Sequence, residues 1–412
     1  MEQILDQGKI LLGLGAPFYR APGGELLVEA QTASGLHAWK DHFDQVTAYA
    51  IAYEGAPPKG WITLAEAGLS EPEFELIALP NTYNLAPFSA EIAAASKTLE
   101  VAMKEVDYRV FAYGGWLGGP GELAVSIARK NALPYAVWLD RIESQVIWTE
   151  GRKSSLWKAW VKSAIVQYRE RRAVKQAGLS LLHGATVFDH FKAFAKNPYI
   201  AENIHYSHED RITAEALARK IETCREGPLQ IVYVGRAEPM KGGEQWLDAL
   251  ALLSEQGVDF HARWFGVGSE LEMLRAKADR LGLAPDRVRF EGFEEDRAVM
   301  KAAYQEAHLL LFCHLTNESP RNLIESLHAA TPLVGYSDPF SENLVAEKGA
   351  GVLTERGDIH GLSAAVAALS ADRENLADLI ARAGQSASDL TRERVFAHRS
   401  EIVKRELGKA DV

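Results

Sequence analysis

Short runs rich in β-branched and aromatic residues alternate with amphipathic helical segments along the whole chain, and the second half repeats the plan of the first. Helices long enough to cross over between strands favour parallel sheets covered by helices on both faces. At 412 residues, the chain is also too long for one ordinary hydrophobic core. We therefore predict an α/β protein with two doubly wound, Rossmann-like domains, whose ligands bind at the carboxyl ends of strands and in the cleft between the domains.

The best candidate for a domain boundary is a polar helical stretch, Ala214–Arg225, that ends at Gly227-Pro228. Gly and Pro interrupt regular structure, so the chain is expected to change domains there. The first helix is predicted at Glu25–Phe43. We predict a first domain at residues 1–212, a linker at 213–227 and a second domain at 228–390. A terminal amphipathic helix is expected within 391–412.

Composition and charge exclude several classes of protein. The formal net charge of −11 at pH 7 disfavours a general nucleic-acid binder, which would normally carry a basic surface. The two cysteines provide neither a disulfide framework nor a metal cluster, and Cys313 lies within an apolar run that predicts burial. No apolar run approaches the roughly 20 residues that span a bilayer, and the acidic N-terminus does not resemble a secretory signal. A cytoplasmic protein is expected.

The sharpest local signal is the Gly-rich turn Gly235–Gly243, which follows a buried strand and precedes a helix. It places Arg236 and Lys241 at the carboxyl end of that strand, where open sheets bind ligands. A planar guanidinium and a mobile ammonium suit a diphosphate. The alternative is a solvated loop, since both residue types are common there.

A second signal follows the next buried strand of this domain. Ser319 fits an N-cap and Pro320 fits the first helical position, so a helix is expected to start there. Its free N–H groups and positive dipole end would form an anion site. Glu325, less than two turns into the helix, would reach the ribose of a bound nucleotide. The alternative is a capped surface helix with an exposed glutamate.

Two Gly-x-Gly stretches do not support a nicotinamide dehydrogenase. Gly266-Val267-Gly268 is followed by Leu271 where the dinucleotide fingerprint has its third glycine, and Gly13-Leu14-Gly15 continues to Phe18.

Taken together in their order along the chain, these elements resemble the donor-binding domain of retaining GT-B glycosyltransferases, the large family numbered four, also called glycosyl transferases group 1. The resemblance covers most of residues 228–370 and is carried by Gly235-Arg236, Lys241-Gly242, Gly266 with Gly268, 288–293, 317–325 and 330–334. It implies the GT-B fold, with an N-terminal acceptor-binding domain, a C-terminal nucleotide-sugar-binding domain and a terminal helix that packs back on the first domain.

The resemblance also implies roles for individual residues. Arg236 and Lys241 match the residues that bind the donor diphosphate, and Glu325 matches the one that binds the ribose. The diphosphate would also contact Gly24, Arg321 and Asn322, and the donor sugar would contact Asn317, Glu318 and Ser319. Gly266, Gly268 and Phe293 would lie in the loops on the side of the nucleotide base. The expected catalytic residues are Asp140, Arg236 and Lys241.

The sequence departs from the family pattern at two positions. The family's sugar-binding glutamate is replaced by Asn317, so either this amide takes the role without charge, which we favour, or Glu318 supplies the carboxylate. Asp140 stands where a histidine is expected after the strand that begins at Pro134. Asp140 could orient a donor hydroxyl, accept the acceptor's proton or stabilise a cationic sugar.

The implied function is a retaining transfer of a hexose from a UDP- or GDP-sugar to a saccharide or lipid-linked acceptor. The sequence has no Asp-x-Asp pair, so a metal-independent site without other cofactors is expected. The alternatives are a nucleotide-sugar epimerase on a GT-B scaffold and a catalytically degenerate GT-B binding module.

Two further segments of the first half have open interpretations. Residues 153–175 combine cations with aromatic residues: they fit a solvated helix with its aromatic face in the core, which is the commoner case, or a helix in peripheral contact with a membrane. The cations of this region are Lys153, Lys158, Lys162, Arg169, Arg171, Arg172 and Lys175; its tryptophans are Trp157 and Trp160, and Trp148 shortly precedes it. The glycine-rich segment 114–121 either lines the cleft or forms a tight turn.

Overall fold

The computed structural model describes residues 8–84, 86, 89–116, 118–152, 155–202, 204, 206–283, 285–317 and 319–408. The chain forms two units. The first comprises Met1–His205 together with Arg392–Val412, and the second comprises Tyr206–Thr391.

The first unit has a mixed sheet with helices on both faces. Its strands are β1 (Lys9–Gly13), β2 (Phe18–Arg20), β3 (Leu26–Glu29), β4 (Gln45–Glu54), β5 (Trp61–Thr63), β6 (Phe74–Leu79), β7 (Tyr108–Ala112), β8 (Ala136–Leu139), β9 (Leu179–Leu182) and β10 (Pro198–Ile200). Its helices before residue 205 are α1 (Ala30–Lys40), α2 (Ala90–Lys104), α3 (Pro120–Lys130), α4 (Glu143–Gly151), α5 (Leu156–Gln176) and α6 (Gly184–Phe191).

The centre of this sheet is parallel and buried on both faces. The strand order is β10-β9-β8-β7-β1-β4-β2-β3-β5, and β6 also pairs with β4. In β1, Ile10 and Leu12 point into one core cluster and Leu11 points into another, and all three are at most 4% exposed. A continuous apolar run is typical of a parallel strand covered on both sides.

The edge of the sheet formed by β2, β3 and β5 differs from the prediction. The segment Glu25–Phe43 was predicted to be wholly helical, but Leu26–Glu29 forms β3, which pairs antiparallel with β2 and β5. The helix begins only at Ala30. Val28 is 1% exposed, so burial in this small antiparallel extension outweighs the helical pattern that continues from α1.

The second unit has a wholly parallel sheet in the order β13-β12-β11-β14-β15-β16. Its strands are β11 (Leu229–Val234), β12 (Phe260–Phe265), β13 (Val288–Gly292), β14 (Leu309–Phe312), β15 (Leu333–Tyr336) and β16 (Gly351–Thr354). Its helices are α7 (Ala214–Thr223), α8 (Gly243–Glu255), α9 (Leu271–Arg280), α10 (Arg297–Glu306), α11 (Arg321–His328), α12 (Pro339–Lys348), α13 (Ile359–Ala371) and α14 (Arg373–Gln385).

Most of the segment 213–227, predicted as a linker, is the helix α7, which belongs to the second unit. Its anchor is Lys220, whose buried ammonium donates to the carbonyl oxygens of Tyr304 and Ala329 and to the hydroxyl of Thr331 at 3.1, 3.0 and 2.6 Å. A lysine with three internal acceptors can be buried, which a count of polar residues along α7 does not reveal.

Close to Lys220 lies a buried histidine that makes the stability of the second unit depend on pH. Burial, reinforced by Lys220 and Arg373, lowers the pKa of His308 from 6.5 to about 4. Between these values the unfolded chain binds a proton that the folded protein does not, so stability falls as the pH falls from 6.5 toward 4. His308→Asn keeps an acceptor for the backbone N–H of Gln230, which bonds Nδ1 at 3.2 Å.

We expect this variant to reduce the loss of unfolding free energy between pH 6.5 and pH 5 by at most about 2 kcal/mol, since one proton contributes about 1.4 kcal/mol per pH unit. Urea unfolding at both pH values measures the difference. Equal losses for the variant and the parent would contradict the assignment.

The chain returns to the first unit through α15 (Arg392–Leu407). Phe396 and Leu407 join the core cluster beneath β1, and the Phe396 ring meets Trp39 edge-on at 5.6 Å. Both cysteines are buried free thiols, as expected for Cys313. Within the described residues, no helix has the length and apolar character needed to cross a membrane.

Candidate functional site in the second unit and the edge of the first

The strand order of the second unit reverses between β11 and β14. From β11 the chain proceeds outward through β12 and β13, and from β14 it proceeds the other way through β15 and β16. The loops after β11 and β14 therefore diverge and leave a crevice at the carboxyl ends of these two strands, where open α/β sheets bind ligands. The loop after β11 carries Arg236 and Lys241. The loop after β14 carries Asn317 and leads into α11, which contains Glu325.

The first loop makes a tight turn. After Arg236, which is exposed, a 3₁₀ turn at Pro239–Lys241 leads to Gly242, the left-handed residue (φ +66°) that precedes α8. A Cβ at Gly242 would lie 2.1 Å from the carbonyl oxygen of Cys313 at the end of β14. Only glycine allows both this conformation and this approach.

Two hydrogen bonds connect the loops. The backbone N–H of Leu315 donates to the carbonyl oxygen of Met240 at 2.8 Å. The side-chain amide of Asn322 donates to the carbonyl oxygen of Val234 at 2.5 Å. The loop after β11 is thereby fixed against the start of α11.

Lys241 is only 9% exposed, although it lies on a loop. Close by is His314, the second residue after β14. Burial and, as the smaller cause, the positive charge of Lys241 together lower the pKa of His314 to about 3. His314 is therefore neutral at pH 7, and its Nε2 lies 3.1 Å from the Tyr233 hydroxyl. The positive charge of Lys241 thus stands beside the loop that follows β14.

The helix after β14 starts one residue later than predicted. Pro320 is the N-cap and Arg321 the first helical residue, so Ser319 does not cap the helix. Proline has no N–H, and the N-terminal amides that remain free begin with Arg321. The Asn322 side chain, predicted to contact the diphosphate, donates one hydrogen bond to the carbonyl oxygen of Val234. Its second amide N–H and its backbone N–H can still face an anion.

Glu325 is half-buried and has defined neighbours. The Tyr304 hydroxyl donates to its Oε2 at 3.2 Å. Burial raises the pKa of the carboxyl, while Arg321, the Tyr304 hydrogen bond and Arg297 act in the opposite direction. Its carboxylate also raises the pKa of Tyr206, after the larger effect of burial. Sequence reasoning missed these neighbours because they come from other elements.

Asn317 is exposed, and its side-chain oxygen accepts a hydrogen bond from Arg356, which follows β16. The predicted sugar-contact position thus has a guanidinium beside its amide, which the sequence pattern did not reveal. Glu318, the alternative carboxylate, lies outside the described residues.

The three predicted base-side residues follow β12 and β13. Phe293 is 68% exposed, directly after β13. Packing explains why Gly266 and Gly268 are glycines. A Cβ on Gly266 would lie 2.1 Å from the carbonyl oxygen of Gly235, and one on Gly268 would lie 2.3 Å from that of Ala237. These glycines let the loops after β11 and β12 pack backbone to backbone.

In the first unit, Asp140 is the first residue after β8 and is exposed. Its Oδ1 accepts a hydrogen bond from the indole N–H of Trp138. The Arg399 guanidinium of α15 stacks 4.1 Å from the centroid of a Trp138 ring. Burial lowers the pKa of Arg399, and the negative charges of Asp140 and Glu202 partly offset this. The terminal helix thus places a cation behind the tryptophan that orients Asp140.

A glycine that sequence analysis did not single out for the site lies beside Asp140. A Cβ at Gly15, which follows β1, would lie 3.9 Å from Asp140 Oδ2. Gly24 instead lies at the tip of the β2–β3 hairpin, where its N–H donates to Ala21 and a Cβ would meet nothing within 4 Å. The prediction placed Gly24 just before a helix because β3 was not recognised.

The glycines of 114–121 fit around an aromatic ring. A Cβ on Gly115 or Gly119 would lie 2.4 or 2.8 Å from the Tyr83 hydroxyl, and one on Gly121 would lie 2.1 Å from the Ala112 carbonyl oxygen. Packing on Tyr83 therefore explains Gly115 and Gly119, and the close approach to the end of β7 explains Gly121.

Comparison with known proteins agrees with this geometry. Residues 215–386 match the family model described as "Glycosyl transferases group 1". The second unit is a group 1 glycosyltransferase domain. Over 163 residues, the chain is 30% identical to the "Putative colanic acid biosynthesis glycosyltransferase WcaL" of Escherichia coli (strain K12), a match that spans 38% of this chain and 40% of that protein.

Solved structures resemble the chain over nearly its whole length. HepE from Anabaena in complex with UDP-glucose matches with a TM-score of 0.63 and 17% identity, covering 96% of this chain and 100% of that chain. Sucrose-phosphate synthase from Thermosynechococcus elongatus matches with a TM-score of 0.66 and 13% identity, and the match covers 98% of this chain and 100% of that chain. With two α/β domains, whose sheets are parallel at the centre of the first and throughout the second, the protein has the predicted GT-B fold.

Proposed function

We propose that this protein transfers a hexose from a nucleotide-diphosphate sugar to a saccharide or lipid-linked acceptor. The observation that carries the proposal is that two hydrogen-bonded loops meet at the β11–β14 switch point: one carries Arg236 and Lys241, and the other leads into α11. Its support from known proteins is the group 1 family match over 215–386 and the UDP-glucose that one structural neighbour binds.

The chemistry follows from the charge that develops during transfer. As the bond between the anomeric carbon and the phosphate oxygen breaks, its electron pair goes to the departing diphosphate. Arg236, Lys241 and the first free amides of α11 stabilise that negative charge through preorganised electrostatics. No divalent ion is needed for this role, and we propose a metal-independent reaction.

On the acceptor side, the hydroxyl oxygen forms the new bond to the anomeric carbon. We propose that the configuration is retained through attack on the face that the diphosphate leaves, with the acceptor's proton passing to a departing phosphate oxygen. Asp140, oriented by Trp138, is proposed to stabilise the cationic sugar or to orient a sugar hydroxyl.

A panel of UDP-, GDP- and ADP-sugars tests the proposal. Incubation without acceptor should give slow release of free nucleotide and hydrolysed sugar from one donor. An isomerised nucleotide sugar would show a nucleotide-sugar epimerase instead, and binding without turnover would show a degenerate binding module. The anomeric configuration of a transferred product then decides retention.

Glu325→Gln tests the ribose contact. A carboxylate that accepts hydrogen bonds from ribose hydroxyls contributes about 1.5–3 kcal/mol. We therefore expect the affinity for the nucleoside diphosphate to fall by about tenfold or more in calorimetric titration. The control is Glu306→Gln at the end of α10, whose carboxylate pairs with Arg263 on the surface. An affinity for Glu325→Gln within twofold of the parent would remove Glu325 from the ribose site.

A further inference from the structure

The helix α5 carries two apolar stripes, and only one of them is used by the core. On the stripe that the core uses, Ala159, Val166, Ala173 and Val174 are buried. This side of α5 also packs closely on α4: the Ser163 hydroxyl donates to the carbonyl oxygen of Ser144 at 2.8 Å, and a Cβ at Gly151 would lie 2.9 Å from Ala159. The helix is therefore already fixed to the first unit. The interpretation of its tryptophans as part of the core is wrong for Trp157 and Trp160, which are 68% and 65% exposed.

The second stripe concentrates the exposed apolar surface of the protein. Among the described residues, five large apolar side chains are more than half exposed, and four of these lie on α5; the five are Leu156, Trp157, Trp160, Tyr168 and Phe293. Val161 and Ile165 are also exposed. Positions 157, 161, 165 and 168 follow at intervals of three or four, which aligns them along one side of a helix.

The same helix is strongly basic. Its cations are Lys158, Lys162, Arg169, Arg171, Arg172 and Lys175, of which Arg169 is mostly buried and pairs with Glu122 of α3. Its one carboxylate, Glu170, is 1% exposed. The ammonium of Lys158 lies 5.9 Å from the Trp157 ring, and that of Lys162 lies 5.4 Å from Trp116 of the glycine-rich loop. The chain as a whole has a net charge of −11, so this concentration of positive charge is local. Lys153, which precedes the helix, lies outside the described residues.

We infer that the exposed stripe of α5 docks the protein on an anionic lipid surface. Tryptophan and tyrosine favour the boundary between headgroups and acyl chains because one part of each ring is polar and the rest is apolar. Lysine and arginine on the same helix meet the negative headgroups, and a helix that lies in the interface binds through the sum of both contributions. The inference does not depend on the donor chemistry of the second unit.

Vesicle co-sedimentation of the full-length protein tests the inference. At 50 mM salt, we expect at least tenfold stronger partitioning onto phosphatidylcholine vesicles that contain 30% phosphatidylglycerol than onto pure phosphatidylcholine, and a marked decrease at 500 mM salt. Brominated lipid should quench the tryptophan fluorescence, and the quenching should decrease in Trp157→Ser/Trp160→Ser.

Charge reversal supplies a matched pair of variants. Lys158→Glu/Lys162→Glu should weaken partitioning at least tenfold, since each cation near an anionic surface contributes several-fold. Lys97→Glu/Lys348→Glu changes the net charge equally on exposed parts of α2 and α12 and should leave it within twofold. Circular dichroism and nucleotide binding confirm that each variant is folded.

Three results would overturn the inference. One is equal binding to anionic and neutral vesicles, or none to either. Another is an equal loss in both charge-reversal pairs, which would show an effect of net charge alone. The third is a dimer in sedimentation equilibrium that Trp157→Ser/Trp160→Ser dissociates without any vesicle binding by the parent, which would assign the stripe to a second copy of the chain.

Discussion

Alanine at Arg236 or Lys241 is expected to lower kcat for donor turnover by about 100-fold or more, the usual result of removing one preorganised donor from a developing negative charge. Lys241 is nearly buried beside the loop after β14, where its charge is weakly screened by water. Arg236 is exposed and could act through a bidentate contact with phosphate oxygens. Release of free nucleotide from the donor measures the effect.

The matched control is Arg280→Ala. Arg280 is the last residue of α9, at the opposite end of that helix from the Gly266–Gly268 loop, so its loss should leave turnover within twofold. If Arg236→Ala and Lys241→Ala also remain within a few-fold of the parent, neither residue binds the reacting diphosphate.

Asp140→Asn is expected to lower kcat by about 100-fold or more while the affinity for the nucleoside diphosphate stays within twofold. The substitution keeps a side-chain oxygen that can accept from Trp138 and removes only the negative charge, so the loss reports on charge stabilisation or proton transfer. The diphosphate contacts are proposed on the second unit and should not change. Steady-state kinetics and calorimetric titration separate the two quantities.

Two companion variants make this result specific. Trp138→Phe keeps an aromatic ring beside Arg399 but removes the N–H that orients Asp140, and we expect a smaller loss in kcat, about tenfold. Asp189→Asn removes an exposed carboxylate of α6 that pairs with Lys192, and it should have no effect. Parent-like turnover in Asp140→Asn would exclude Asp140 from catalysis.

Sequence reasoning succeeded where the signal is local. The buried strands that precede Gly235 and Asn317 are present as predicted, because an apolar run between turn signals defines a buried strand. The loops after β11 and β14 were located for the same reason. The strand order then explains why these two loops meet: both border the switch point.

The misses are contacts between distant parts of the chain. Arg399 reaches Trp138 from the terminal helix, and Arg356 reaches Asn317 from beyond β16. No periodicity or motif records such contacts, since they depend on which strands become neighbours. Leu26–Glu29 was missed for a related reason: a short strand that continues directly into α1 has no turn signal before the helix.

The account depends on one claim, that Arg236, Lys241 and the start of α11 bind a single pyrophosphate. Calorimetric titration with the diphosphate and the monophosphate of the preferred nucleoside tests it most directly. We predict that the diphosphate binds at least tenfold more tightly to the parent protein and that Arg236→Ala/Lys241→Ala removes most of this difference. Equal affinities for the two nucleotides in the parent, or a preference that survives in the double variant, would contradict the claim.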